Sequence, residues 1–139
     1  MYPVVFDELR SRILDYSWSD RLEVHEIPAP TRISPFSVAI EGSVTIRGDE
    51  LGSGRLILLH DPSGSEAWQG TSRFVAMIRA DVDASMASDP LIGRVAWSWL
   101  TDSLESHHAV HHAEAGTVTS VVSRPFGELA ADLESDHIE

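Results

Sequence analysis

The chain has 139 residues, 42% of them apolar, and a formal net charge of −12 with histidines neutral, which is the size and balance of a single globular domain. It holds no cysteine and no lysine; all ten cations are arginine. Disulfides, thiolate metal sites, a cysteine nucleophile, Schiff-base chemistry and a P-loop lysine are thereby excluded, and the negative field disfavours nucleic acid and anionic membranes as partners.

The stretch Met1–Glu8 lacks the basic and apolar regions of a secretory signal. No apolar run approaches the roughly 20 residues of a membrane helix, so a cytoplasmic location is expected. Phe6, Leu9, Ile13 and Tyr16 recur at spacings of three and four, predicting an amphipathic helix over residues 4–17. Leu22, Val24 and Ile27 predict a short strand, and Pro28, Pro30 and Pro35 enforce an extended connection after it.

Phe36, Val38, Ile40, Val44 and Ile46 alternate with Ser37, Glu41, Ser43, Thr45 and Arg47, the pattern of a long half-buried strand. Residues 48–54 read as a turn-rich link to Leu56–Leu59, which is apolar on both faces like a central strand. Arg47-Gly48-Asp49 matches the integrin tripeptide, a coincidence at a hairpin turn. Residues 61–70 form the most loop-like stretch. Phe74, Ala76, Ile78, Ala80 and Val82 then alternate against Arg79, Asp81 and Asp83, predicting another half-buried strand.

Asp89-Pro90 reads as a helix start. Ile92, Val95, Ala96, Trp99, Leu100 and Leu104 line one side of a helix reaching to about residue 108. Val118, Val121 and Val122 predict a last strand after Gly116, and residues 128–139 read as an acidic tail, frayed helix or disordered. Tight links between strands favour antiparallel pairing. The expected architecture is therefore one α+β domain over residues 1–127. It would be a two-layer sandwich with a mainly antiparallel sheet of about five strands, an N-terminal helix and a second helix near residues 90–108.

Four histidines, His107, His108, His111 and His112, fall within six residues. On a continuous helix His107 and His111 would share a face, the spacing at which two imidazoles bind one metal. They are the candidate metal ligands; a third ligand is needed, for which Glu105, Glu114 or Asp102 could supply oxygen, but no H-E-x-x-H pattern is present. Histidines at a fraying helix end also complement the helix dipole. His60, Asp61, Glu66, Trp68, Arg73 and Trp97 are the candidate binding residues. His60 and Asp61 are neighbours on a strand and point to opposite faces, so they do not form a base and its orienter. A strand ending in an Asx-Pro turn with polar turn residues accounts for them better than a catalytic or calcium-binding loop. Trp97 and Trp99 cannot share a helix face; Trp99 is expected in the core and Trp97 at its margin.

Four ordered segments carry a family resemblance. They are Glu26-Ile27-Pro28-Ala29-Pro30-Thr31-Arg32; Leu58-Leu59-His60-Asp61-Pro62 through Glu66-Ala67-Trp68; Asp89-Pro90-Leu91 with Trp97-Ser98-Trp99-Leu100; and Gly116-Thr117-Val118-Thr119. Over roughly residues 4–128 the chain resembles an actinobacterial family catalogued as domain of unknown function 3000. The resemblance implies no activity. It does imply a further strand with a tryptophan beyond Phe126-Gly127, and no tryptophan occurs there. The histidine cluster lies outside these segments. The element order also resembles the small dimeric fold of type III secretion chaperones, in topology alone.

No catalytic constellation is assembled, and no cofactor is implied beyond opportunistic zinc or nickel. The expected function is a non-enzymatic protein-binding or adaptor module, chaperone-like in its contacts, with a protein partner or a second copy of itself. The alternative is a metal-dependent enzyme or sensor using the His107/His111 pair.

Overall fold

The structure, a computed structural model, describes residues 4–129 and 136–139. In chain order it contains α1 (Val4–Leu14), β1 (Glu23–Ile27), β2 (Phe36–Ile46), β3 (Asp49–Ser65), β4 (Gly70–Asp81), α2 (Ala84–Ala87), α3 (Ile92–Ser106), β5 (Ser120–Val121), a 3-10 turn at Gly127–Leu129 and β6 (His137–Ile138). The strands form one sheet in the order β1-β2-β3-β4-β6-β5. The α+β class, the antiparallel sheet and the N-terminal helix are as predicted, with six strands rather than about five. The chain divides into two compact units, residues 1–78 and 79–139, described in turn.

In the first unit β2 pairs with β3 so that Phe36 faces His60, Val38 faces Leu58 and Gly42 faces Gly54. Side chains alternate along a strand, so these even-numbered residues share one face. Helix α1 lies on it: Phe6, Val38 and Leu58 form a core cluster, with Leu9, Ile13, Leu14 and Phe36 packed around it. Each of the three buried side chains contributes about 1.5–3 kcal/mol by leaving water. On the opposite face Ala39 and Leu59 are buried too, so the wet second face expected of this strand is absent at its centre. The first helix stops at Leu14, before the predicted residue 17. Tyr16 consequently leaves the helical phase and sets its ring edge-on to Trp18 at 4.7 Å.

Both links were expected to be longer than they are. Arg47 and Gly48, with φ of 54° and 86°, make a two-residue hairpin between Ile46 and Asp49, and the strand resumes at once. Gly52 and Gly54 act inside β3 rather than as breakers. A Cβ on Gly54 would lie 3.3 Å from the Met77 carbonyl oxygen, so this glycine marks a close approach of strands. The predicted loop over residues 61–70 contracts to the turn at residues 66–69, closed by Trp68 N donating to the Ser65 carbonyl at 3.2 Å. Pro62 is tolerated in β3 because β2 begins opposite His60; beyond that point no β2 acceptor needs its missing N–H.

In the second unit α2 is an element that the hydropathy pattern does not reveal, being a single turn. Asp83 caps it, accepting from Met86 N at 2.8 Å and from the Ser85 hydroxyl at 2.6 Å. Helix α3 begins later than the predicted Asp89-Pro90 start, at Ile92 with Leu91 as N-cap and no side-chain cap. Asp89 instead makes an Asx turn ahead of it, its carboxylate accepting from Leu91 N at 2.8 Å. The last strand is limited to Ser120–Val121. Beyond Gly127 the segment read as an acidic tail contributes β6, which pairs with Ala80–Asp81 on one side and Ser120–Val121 on the other. Residues 130–135 of that tail lie outside the described residues.

Candidate functional site

Strand β4 is the least covered apolar element of the first unit. Phe74 is 58% exposed, Val75 43%, and Met77 and Ile78 each 66%. The Ser72 hydroxyl lies 2.8 Å from His60 Nδ1, and Ile78 Cγ1 lies beside Gly54, so the even residues of β4 share the face that carries α1. Val75 and Met77 point the other way. Both faces of this strand are therefore apolar and wet. At the end of this strand Ala80 and Asp81 pair with β6, the next strand in the sheet.

The predicted alternation of this strand is thus corrected. Phe74 and Ile78, assigned to a buried face, are exposed. The signal that could have found this is the unbroken run Phe74-Val75-Ala76-Met77-Ile78, which is apolar on both faces and does not alternate.

The candidate binding residues do not converge. His60 is a core residue, 3% exposed, stacked on Phe6 with ring centroids 6.0 Å apart and partnered by Ser72. Asp61 makes an Asx turn, accepting from Ser63 N at 2.9 Å. Glu66 is exposed and Trp68 half-buried in the hairpin turn. Arg73 is the candidate that lies on β4 itself, half-buried on the Val75 face.

In the second unit the two tryptophans exchange their expected places. Trp99 is 51% exposed, whereas Trp97 is half-buried. A Cβ on Gly116 would stand 2.7 Å from Trp97 Cζ3; the ring is seated on this glycine, which the helix-face pattern could not foresee. Val95 and Trp99, one turn apart on α3, are both exposed, as is Leu91 at the N-cap.

The histidine cluster does not share a helical face, because α3 ends at Ser106. His108 adopts φ 53°, its N–H donates to the Glu105 carbonyl at 3.0 Å and Ala109 N to Leu104 at 2.9 Å, the bonds of a Schellman stop. His107 Nδ1 lies 2.8 Å from the Ser103 carbonyl oxygen. His111 Nδ1 lies 2.9 Å from that of Ala109, and its Nε2 is 3.9 Å from Glu114. The i, i+4 face on which a shared metal depended is therefore lost. Among the described residues no group of three or more histidines and carboxylates is placed to hold a metal ion.

The proline link frames an open cleft of about 360 Å³, lined by Glu26, Pro28, Pro30, Ser34 and Ser37 with Arg10 from α1. Arg10 pairs with Glu26 at 3.1 Å, and the Ser37 hydroxyl donates to the Pro30 carbonyl at 2.5 Å. These bonds hold the link against β2 and leave the cleft walled by already paired groups. Among the described residues no helix is long and apolar enough to cross a membrane.

No curated protein and no solved structure matches the chain. A family model does, over residues 2–139, so the chain belongs to the family described as protein of unknown function (DUF3000).

Proposed function

We propose that the protein is a non-enzymatic protein-binding module that engages its partner through the exposed apolar side chains of β4. The observation that carries this reading is the exposure of Phe74, Val75, Met77 and Ile78 on both faces of one strand. Contiguous exposed apolar side chains of this kind mark contact surfaces. A cytoplasmic adaptor role fits this mode of contact.

A photo-cross-linker placed at Met77 tests the proposal in the native cell extract. The proposal predicts a defined protein product that disappears in the Met77→Lys/Ile78→Lys variant with the cross-linker moved to Val75, while the variant keeps the wild-type circular dichroism and melting temperature. A product that survives these lysines places the partner elsewhere and contradicts the proposal.

A further inference from the structure

Helix α3 carries an uncovered apolar row with opposite charges at its two ends. Val95 and Trp99 are exposed one turn apart, behind Leu91 at the N-cap. Arg94 is exposed at the N-terminal end of this row, and Asp102 and Glu105 are exposed at its C-terminal end. Among the described residues none of these three side chains forms an ion pair. Arg94 and Asp102 are eight residues apart, about 12 Å along the axis. Side chains on one helix meet at separations of three or four, so these two cannot pair within a single copy.

A second copy laid antiparallel removes the separation. With a two-fold axis through Ser98, residue 94 of each copy stands level with residue 102 of the other, and both contacts form by symmetry. Val95 then comes within two residues of the level of Trp99 of the second copy, about 3 Å along the axis, and the small Ser98 lies at the crossing. A parallel pairing would instead set arginine beside arginine and aspartate beside aspartate. We infer that α3 is a self-association face on which two copies pair antiparallel through Val95 and Trp99, with Arg94 opposite Asp102. This contact is independent of the one proposed for β4. One helix buries less than the roughly 1,200 Å² at which stable interfaces begin. The formal charge of −12 on each copy also opposes approach, although salt screens it beyond about 8 Å at physiological ionic strength. The dimer is therefore weak, with a Kd on the order of 10–100 μM.

Sedimentation equilibrium of the full chain at physiological ionic strength, loaded on both sides of that Kd, is the test. Arg94→Glu and Asp102→Arg should each weaken the dimer about tenfold, because like charges then face each other twice. An equimolar mixture of the two variants should associate at least as tightly as wild type, since one copy supplies both acids and the other both arginines. Trp99→Lys should abolish association, with circular dichroism confirming that each variant is folded. Wild type that stays monomeric well above that Kd overturns the inference. Single variants without rescue in the mixture overturn the antiparallel register. A dimer that survives Trp99→Lys and dissociates in Met77→Lys/Ile78→Lys moves self-association to β4 and overturns the inference as well.

Discussion

The ring of Trp97 rests on Gly116 so closely that a Cβ there would lie 2.7 Å from Cζ3. No rotation at residue 116 can relieve that contact, because it is made by the first side-chain atom; the ring or the backbone must move. Gly116→Ala should therefore destabilise the fold by about 1–3 kcal/mol, the range for overpacking, measured by urea denaturation. In a Trp97→Leu background the same substitution should cost much less. An undiminished penalty there would mean that Gly116 matters for its backbone and not for Trp97.

His60 offers the opposite kind of prediction, a residue with suggestive chemistry and a structural role. Its ring stacks on Phe6 and partners Ser72 inside the α1 face. His60→Ala should lower stability by roughly 2–4 kcal/mol, through the cavity and the lost hydrogen bond together. The cross-linked product formed from Met77 should be unchanged once the variant is folded. Loss of that product without loss of stability would return His60 to the binding site.

Much of the fold was legible because it depends on period. The alternation Phe36, Val38, Ile40 sets the face that Phe6 covers, and Leu56–Leu59 read as a central strand. The two hairpins were overestimated in length for one reason: glycine and proline signal breaks locally, while Gly54 and Pro62 are held in β3 by its neighbour strands or by the lack of one. Exposure was less legible. Nothing local distinguishes Trp97 from Trp99; their burial is decided by Gly116, far along the chain. The exposure of β4 is not legible from alternation, because Phe74, Ala76 and Ile78 set a period of two while Val75 and Met77 between them are apolar as well.

The helix stop at His108 carries a backbone strain that can be released. A non-glycine residue at φ 53° bears a cost of roughly 1–2 kcal/mol in this conformation. His108→Gly should stabilise the chain by about 0.5–1 kcal/mol, less than the full strain because glycine also loosens the unfolded state. Thermal unfolding checks the sign. A destabilised variant would show that the imidazole makes a contact outweighing its strain.

The same stop bears on metal binding. With His107 and His111 no longer on one helical turn, zinc titrated calorimetrically into the untagged protein should give the same weak isotherm for wild type and for a His107→Ala/His111→Ala variant. A saturable site lost in the double variant would restore the metal-dependent alternative.

Asp83 gives a pH dependence with a defined sign. The Ser85 hydroxyl, and then the Met86 backbone N–H, hold its carboxyl below the usual carboxylate value. A carboxyl lowered on folding contributes stability that is present above its unfolded pKa and is lost as pH falls through the folded value. The protection of the Ala84–Ala87 amides, relative to their intrinsic exchange rate at each pH, should therefore fall on acidification in the wild type. Asp83→Asn should flatten that dependence; an identical acid response in the variant would remove the carboxylate from the explanation.

Amide exchange across β4, with and without the partner captured from Met77, tests the proposed contact most directly. If the partner seats on this strand, the amides between Phe74 and Ile78 gain protection on binding and those of α3 do not change. Protection confined to the cleft at Pro28–Pro30 or to Val95 and Trp99 on α3, with β4 unaltered, would contradict it.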